Sequence, residues 1–215
     1  MTESLWTRTL ADFRDRTASS SPAPGGGAAA AVTAALGLGL VLMSLEITRQ
    51  GAHSEDAAAL DPLLTSGRAL LEHLSAHADQ DVAVVNAYMA ALALPKGTAK
   101  EKEARGLHVQ ETLAAAAESP LAAARDIAAA LDLAAQAAEP CKPQILSDLA
   151  AGVDLLAASL TAVLRNVDVN LPGLSDVVLR ERMGADRAAL AASAGERLAV
   201  VQSTIERRLH NETQG

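Results

Sequence analysis

Three groups of residues have the types and spacing that catalysis or ligand binding requires. The first is residues 21–27, which read Ser-Pro-Ala-Pro-Gly-Gly-Gly and directly precede a long apolar run. Gly25, Gly26 and Gly27 let the backbone approach a ligand, and the free N–H groups of a following helix favour an anion or a carbonyl oxygen. A tight turn that lets another helix pack closely accounts for these glycines equally well. A nucleotide-binding loop does not, because the Lys-Ser/Thr pair of a P-loop is absent.

The second group is built on Asp81, which heads an apolar stripe. Val84, Val85, Tyr88 and Met89 follow it at helical spacings and therefore share its face of a helix. An unpaired carboxylate in such surroundings is costly. Two interpretations remain open: Asp81 caps a neighbouring helix or meets an arginine, or it is held near apolar walls for proton transfer.

The third group lies on one predicted helix in the last third of the chain. Asp148 lies near the beginning of this helix, and Asn170 follows Asn166 by four residues near its end. Gly152, Ser159 and Asn166 recur at heptad spacing, so small and polar residues form a stripe beside an apolar one. Helix packing with a cap is one interpretation of this stripe. A cleft or a subunit boundary accounts for its polarity better than a dry core does.

The histidines do not predict a metal site. His73 and His77 are spaced four residues apart on a predicted helix, a geometry that can hold zinc. No Glu-flanked metalloprotease pattern surrounds them, and their neighbours are typical of an ordinary helix surface. We therefore expect no metal ion.

The composition predicts the elements that must position these groups. Half of the 215 residues are hydrophobic, yet the aromatic residues are Trp6, Phe13 and Tyr88 alone. Alanine, leucine and valine make up the difference, and small side chains with high helix propensity suit closely packed helices. We expect an all-α fold: a single domain over residues 1–215, with long antiparallel helices bundled around a buried Ala/Gly-rich central helix.

Start and stop signals divide the chain into helices. The central helix is expected from about Ala28 to Gln50, and Thr98 with Glu101 forms a capping box that begins a later helix. Pro120 is expected to break that helix and to open the next one. The other expected helices cover residues 5–16, 56–94, 145–169 and 175–210.

Charge and cysteine content narrow the class of protein. The net charge is −8 without a basic cluster, which argues against nucleic-acid binding. Cys141 is the only cysteine, so no disulfide can form within the chain, and a reducing cytoplasm is the expected location. The uncharged residues 28–45 are long enough to span a membrane, but their Ala/Gly content and the lack of an aromatic belt favour a helix buried in protein. We expect neither a membrane span nor a signal peptide.

The same groups, taken in order, resemble the cyclodeaminase/cyclohydrolase family. Each motif is weak alone, but their order and spacing are fairly specific and extend from about Leu5 to Arg207. The matching motifs are Pro-Gly-Gly-Gly at 24–27, Asp81, Leu-Pro-Lys-Gly-Thr at 94–98, Glu-Lys at 101–102 with Arg105 and Gln110, Ser-Pro-Leu at 119–121, Ser-Asp-Leu at 147–149, and Asn-Val-Asp-Val-Asn at 166–170.

The resemblance implies a function. Family members are all-helical homodimers with a folate cleft near the subunit boundary, and they use a tetrahydrofolate derivative as substrate without a further cofactor. They close 5-formimino-tetrahydrofolate to the 5,10-methenyl form with release of ammonia, or hydrolyse the 5,10-methenyl form to 10-formyl-tetrahydrofolate. Because both reactions move protons, the resemblance implies Asp81 and Asp148 as catalytic residues. The residues implied to contact the substrate are Gly25, Gly26, Gly27, Tyr88, Lys96, Asn166 and Asn170.

One segment departs from the family pattern. Members carry a glycine followed by two basic residues just after the central helix. Here Thr48 aligns with the family threonine, but residues 50–52 read Gln-Gly-Ala, and Arg49 lies one step early. An alternative hypothesis follows from this departure: a catalytically degenerate helical homodimer that binds a folate-like ligand or a protein partner.

Overall fold

The computed structural model describes residues 3–212, and all regular structure in that range is helical. The expected all-α fold is confirmed. The α-helices are α1 (Leu10–Thr17), α2 (Gly26–Gln50), α3 (Ser54–Ala93), α4 (Ala99–Ala138), α5 (Leu146–Asn170) and α6 (Val177–Glu212). Short 3-10 helices cover Leu5–Thr7, Pro143–Ile145 and Leu171–Gly173.

Helix α2 is the central helix that the sequence predicts. Leu38 and Leu45 are fully buried, and small residues let α2 approach its neighbours closely. A Cβ at Gly37 would lie 2.9 Å from the carbonyl oxygen of Gly152 on α5, and a Cβ at Gly152 would lie 2.7 Å from that of Gly37. The two helices therefore touch backbone to backbone, which any larger residue at either position would prevent.

Two segments have the length and hydropathy of a membrane span. They are Gly26–Gln50, with a mean hydropathy of 2.1, and Pro143–Gly173, with a mean hydropathy of 1.5. In their most apolar windows, 61% and 44% of the residues are buried inside the protein. A core helix has the same length and hydropathy, and the burial of most of the α2 window is typical of one.

The direction of each helix follows from its side-chain contacts. Helices that follow one another from α2 to α6 run antiparallel, and α2 and α5 also run antiparallel. Helix α6 returns beside α4 in the same direction, since Arg125 of α4 pairs with Asp186 and Asp132 of α4 pairs with Arg197. This arrangement brings the start of α2, the middle of α3 and α4, and the end of α5 to one place.

Helix α4 begins as predicted but does not break where predicted. The capping box of Thr98 and Glu101 is present, which confirms that prediction. The predicted break at Pro120 is wrong, because α4 continues through it to Ala138. A proline cannot donate a hydrogen bond to the carbonyl four residues earlier, here that of Ala116. The side-chain amide of Asn170 on α5 donates to this carbonyl instead, at 2.7 Å, and so the helix is maintained.

The N-terminal segment also differs from the prediction. A single helix over residues 5–16 is wrong, because a 3-10 turn ends at Thr7 and α1 begins only after Thr9, whose hydroxyl accepts a hydrogen bond from the Asp12 N–H. The Asp79 carboxylate on α3 anchors this segment by accepting hydrogen bonds from the Ser4 hydroxyl at 2.6 Å and the Leu5 N–H at 2.7 Å. Asp79 therefore has a structural role at this segment.

Candidate active site

A cleft of about 240 Å³ lies where the start of α2 meets α3, α4 and the end of α5. Its lining combines apolar side chains, polar side chains and glycine backbone. The lining residues that bear on chemistry are Gly25, Gly26, Gly27, Asp81, Val84, Val85, Tyr88, Ser119, Pro120, Asn166, Val169 and Asn170. Most of the residues that the sequence predicts for the substrate site thus lie in one cleft.

Asp81 lies at the inner end of this cleft and caps α2. Its Oδ2 accepts a hydrogen bond from the Ala28 N–H at 2.9 Å. Burial raises the pKa of the Asp81 carboxyl above its ordinary value, and the hydrogen bond from Ala28 opposes part of that rise. The two interpretations left open by the sequence are therefore compatible: Asp81 caps a neighbouring helix, and it also presents a partly desolvated carboxyl group to a cleft.

Gly27 allows Asp81 to come this close to α2. A Cβ at Gly27 would lie 2.0 Å from the Asp81 Oδ1 and 2.9 Å from the Asn166 amide nitrogen. No side chain fits in that space. The backbone φ of Gly27 is not positive, so close approach rather than conformational freedom requires glycine here.

The first turn of α2 presents further donors. The N–H groups at the start of an α-helix have no partner within the helix. That of Ala28 binds Asp81, while those of Gly26 and Gly27 have no hydrogen-bond partner among residues 3–212. These donors, together with the positive end of the helix dipole, favour an anion or the oxygen of a polarised carbonyl at this end of the cleft.

The two asparagines on α5 differ in what they can offer a ligand. The Asn170 amide donates one of its two N–H groups to the Ala116 carbonyl, whereas the Asn166 side chain has no hydrogen bond within the described part of the chain. Asn166 can therefore both donate and accept. Tyr88 is half-buried, lines the cleft and packs against a buried apolar cluster that includes Leu113 and Leu121.

Two predicted site residues do not lie in this cleft within the chain. Asp148 is in the first turn of α5, eighteen residues before Asn166, so the two are about 27 Å apart along the helix. Lys96 is exposed in the loop after α3, beyond Ala93, and does not line the cleft. The structure thus separates Asp148 from Asp81 instead of bringing the two carboxyl groups to one ligand.

Other motif residues fasten loops near the cleft. Arg105 donates two hydrogen bonds to the carbonyl of Leu92, at 3.2 and 3.1 Å, and so holds the end of α3. Gln110 donates to the Gly173 carbonyl and accepts from the Ser175 N–H and hydroxyl, which fixes the connection between α5 and α6. These residues shape the fold around the site without lining it.

The segment that departs from the family pattern receives a cation from elsewhere in the chain. A Cβ at Gly51 would lie 1.6 Å from the Lys142 ammonium nitrogen, so this side chain lies directly against Gly51. The Thr48 hydroxyl accepts a hydrogen bond from the Lys142 N–H at 3.0 Å. Arg49 is engaged by Glu46 and Asp61. Lys142, from the connection between α4 and α5, thus supplies a positive charge at the end of α2 in addition to that of Arg49.

His77 is a residue whose importance the sequence analysis missed. It does not lie on an ordinary helix surface, because its side chain is only 11% exposed and its Nε2 lies 2.8 Å from the Asp126 Oδ2. The available signal was its position one helical turn before Asp81 on the same face. Between residues 3 and 212, no three His, Cys, Asp or Glu side chains are grouped in a way that could hold a metal ion.

Three larger grooves lie elsewhere in the described part of the chain. One, of about 330 Å³, follows the ion pair of Arg125 and Asp186 on α4 and α6. Another, of about 370 Å³ between α4, α5 and α6, is lined mainly by aliphatic side chains together with Arg165 and Arg187, and Arg187 is paired with Asp168. The third, of about 430 Å³, lies at the far end of α2 beside Lys142. None of them has a buried carboxyl group facing a helix N-terminus, so the cleft at Asp81 is the best candidate for chemistry.

Comparison with known proteins places this geometry in a family. A family model described as formiminotransferase-cyclodeaminase matches residues 9–189. The chain belongs to this family. The match to the formiminotransferase-cyclodeaminase family includes the glycine turn, Asp81 and both asparagines, that is, every element that forms the cleft.

Two relatives illustrate the range of the family. The chain is 34% identical over 156 residues to the methenyltetrahydrofolate cyclohydrolase of Methylorubrum extorquens, covering 73% of this chain and 75% of that protein. It is also similar in structure to the formiminotetrahydrofolate cyclodeaminase of Thermotoga maritima, with a TM-score of 0.81 and 24% identity over 93% of this chain and 96% of the other. The second similarity shows a shared fold.

Proposed function

We propose that this protein is a tetrahydrofolate one-carbon enzyme that interconverts 5,10-methenyl-tetrahydrofolate with an open-chain form. Either it hydrolyses the methenyl bridge to 10-formyl-tetrahydrofolate, or it closes 5-formimino-tetrahydrofolate with release of ammonia. The observation that carries the proposal is the partly desolvated Asp81 carboxyl group beside the unpaired N–H groups of Gly26 and Gly27. Family membership and the 34% identical cyclohydrolase support this choice of substrate class.

In the hydrolytic direction, Asp81 acts as a general base. The methenyl carbon is cationic, and the carboxylate lies where it can accept a proton from a water molecule as the water oxygen bonds to that carbon. The resulting tetrahedral centre collapses as its bond to N5 breaks, N5 takes up a proton, and the hydroxyl becomes the carbonyl of the formyl group on N10. One proton is released overall. A raised pKa suits a carboxyl group that must first take up a proton and then give it back.

The deaminating direction uses the same groups in another order. N10 attacks the formimino carbon and loses its proton, and the amino group then leaves as ammonia after it has received a proton. Asp81 serves as the acid in the second step. In both directions the N–H groups of Gly26 and Gly27 and the Asn166 amide are placed to hydrogen-bond polar atoms around the reacting carbon.

The purified wild-type protein tests this proposal directly. The ultraviolet absorbance of 5,10-methenyl-tetrahydrofolate is expected to fall faster with the protein than in buffer alone, or that of 5-formimino-tetrahydrofolate to change as the methenyl form appears. The initial rate should be proportional to protein concentration. Thermal stabilisation by a reduced folate without turnover would instead support the degenerate binding protein, because a ligand that prefers the native state raises the melting temperature. Neither turnover nor stabilisation with either folate would contradict both functions.

We further propose that the protein is a cytoplasmic homodimer. Leu36, Met43 and Ile47 are 54%, 37% and 38% exposed, and their spacing puts them on one face of α2. The most apolar helix of the bundle thus leaves an apolar stripe uncovered, which in a soluble protein marks an interaction surface. A second copy placed over this stripe would complete the burial of the central helix.

A charge in the stripe is expected to dissociate the dimer. Met43→Glu would place an unpaired carboxylate in each half of the contact, so the dimer dissociation constant should rise about tenfold or more. Light scattering after size exclusion at several protein concentrations measures the change. Leu107→Glu is the matched control, because Leu107 is 62% exposed on α4 and lies outside the stripe. A monomeric wild-type protein, or unchanged mass in Met43→Glu, would refute this interface.

A further inference from the structure

A largely buried histidine lines a small cavity together with Asp81. His77 is one helical turn before Asp81 on α3, and its Nε2 lies 2.8 Å from the Asp126 carboxylate on α4. An ionised carboxylate has no hydrogen to donate, so Nε2 carries the proton and Nδ1 is left as an acceptor. This Nδ1 is buried and has no hydrogen-bond partner among the described residues. Buried polar atoms in folded proteins usually have a partner, so this one requires an explanation.

A small cavity joins His77 to Asp81. It has room, about 10 Å³, for the centre of roughly one water molecule. Besides the two titratable residues it contains Ser119, which is buried and whose hydroxyl has no hydrogen bond within residues 3–212. The remaining walls are apolar or glycine: Gly27, Ala31, Pro120, Ala123 and Val163. A water molecule held here would have three polar partners, which is the usual number for a buried water.

We propose that a water molecule in this cavity links Asp81 to His77, so that Asp81, the water, His77 and Asp126 form a proton path from the cleft to the protein surface. The Asp126 side chain is 28% exposed, which gives the path an outer end in solvent. His77 is then a positioning and proton-transferring residue that acts through Asp81 without touching the substrate. The inference rests on the proposed function, because it assigns the route taken by the proton that Asp81 handles.

The steps balance as a proton transfer. Protonated Asp81 gives its proton to the water while the water gives another to Nδ1, which leaves a carboxylate and an imidazolium. The Nε2 proton then passes to the Asp126 carboxylate and from there to solvent, which leaves neutral His77 with its proton on Nδ1. After the product has left, Nε2 takes a proton back from solvent through Asp126 and the Nδ1 proton leaves through the cavity water to the open cleft, which restores the starting tautomer. Hydrolysis releases one proton per turnover, and this route removes it while the substrate still covers the cleft opening.

The other charged groups around His77 are few. On α3 they are Asp81, which lines the same cavity, and His73, whose Nδ1 lies 3.9 Å from the Asp126 Oδ2. On α4 the charged group is Asp126 itself. The parts of α2 and α5 that line the cavity contribute Gly27, Ala31 and Val163, which have no charge. A change in the pH dependence of turnover on substitution of His77 can therefore be assigned to this short path.

The decisive variant is His77→Gln, which preserves a polar side chain but cannot carry a proton. We expect kcat to fall about tenfold to a hundredfold with KM within about twofold, because substrate binding does not use His77. Raising the concentration of imidazole buffer should restore the rate of the variant and leave the wild type unchanged, since without the path Asp81 keeps its proton until the product has left, and a small buffer can then enter the open cleft and take the proton directly. A residue that only supports the fold would show no such rescue.

Two further variants complete the comparison. Asp126→Asn removes the outer carboxylate and is expected to show the same loss of kcat and the same buffer rescue. His108→Gln is the matched control, because His108 is exposed on α4 outside the path, and wild-type kinetics are expected. Wild-type kcat in His77→Gln at every pH, or a loss that buffer does not restore, would overturn the proposal.

A measurement without turnover separates this inference from the proposed function. Nitrogen NMR of labelled protein is expected to show His77 with its proton on Nε2, and Asp81→Asn should shift the Nδ1 resonance through the shared water. If the wild type turns over neither folate but this coupling is seen, the proposed function fails and the hydrogen-bonded path stands. If the Nδ1 resonance is unaffected by Asp81→Asn, the path is refuted whatever the activity.

Discussion

Asp81→Asn is expected to lower kcat for methenyl- or formimino-tetrahydrofolate by about 10²- to 10⁴-fold, the usual contribution of a general acid or base. The substitution keeps the size of the side chain and leaves an oxygen that can still accept the Ala28 N–H. It removes only the ability to take up and release a proton. The rate is measured from the change in ultraviolet absorbance under saturating substrate, so that a change in affinity does not enter.

Asp148→Asn is the matched control for this experiment. It makes the same chemical change in a partly exposed aspartate about 27 Å from the cleft along α5. The sequence suggests both aspartates as catalytic residues, but only Asp81 lies in the cleft. We therefore expect a large loss of kcat for Asp81→Asn and a wild-type kcat for Asp148→Asn. A rate within about threefold of wild type in Asp81→Asn would remove Asp81 as the acid or base.

The pH dependence of the melting temperature tests whether Asp81→Asn still folds. Burial raises the pKa of Asp81 in the folded protein above its value in the unfolded chain. Its contribution to stability is therefore fully present below the unfolded pKa and is lost as pH rises through the folded pKa. Asparagine does not titrate, so the melting temperature of the variant should improve relative to wild type as pH rises above the ordinary pKa of an aspartate. An inactive variant with this profile has lost chemistry and retained its fold.

Gly27→Ala is expected to reduce activity by about a hundredfold while leaving the helix intact. The new Cβ would lie 2.0 Å from the Asp81 Oδ1, so the carboxyl group must move away from the start of α2. A displacement of about 1 Å at a catalytic group is enough for a loss of this size. Alanine also favours a helix over glycine by up to about 1 kcal/mol, which offsets part of the steric cost in the free energy of unfolding.

The control for Gly27→Ala is a glycine-to-alanine substitution at a position where the added Cβ has no close neighbour. A Cβ at Gly106, in α4, meets no atom within 4 Å. Gly106→Ala should therefore keep full activity and raise the melting temperature slightly. If Gly27→Ala were as active as Gly106→Ala, the position of Asp81 against α2 would not matter for catalysis, and the proposed role of the glycine turn would be wrong.

The fold was largely predictable because it depends on local properties. Alanine content and helical periodicity predict helix formation directly, and the long run of uncharged residues in α2 predicts that this helix is buried. Asp81 was predictable as a site residue for a related reason. A charged residue at the start of an apolar helix face is costly unless it has a partner or a function, and this pattern is visible in the sequence. The effect of Pro120 was not predictable locally, because the group that compensates for it, Asn170, is fifty residues further along the chain.

The arrangement of the site was less predictable, because periodicity gives the face of a helix but not the position along it. Asp148 and Asn166 are eighteen residues apart, which is five complete helical turns, so they share a face. Only the lengths and crossings of neighbouring helices decide which end of that face meets Asp81. For the same reason the contact between His77 and Asp126, two residues on different helices, has no counterpart in the sequence pattern.

The hydrogen bond that keeps α4 continuous also has a consequence for ligand selection. Because only the nitrogen of the Asn170 amide can donate to the Ala116 carbonyl, this amide cannot exchange its nitrogen and oxygen, and its oxygen and its second N–H keep fixed positions. A heterocycle that contacts Asn170 is therefore expected to meet one acceptor and one donor in an order that cannot reverse. The proline inside α4 thus limits, through a distant amide, which edge of such a ligand can face α5.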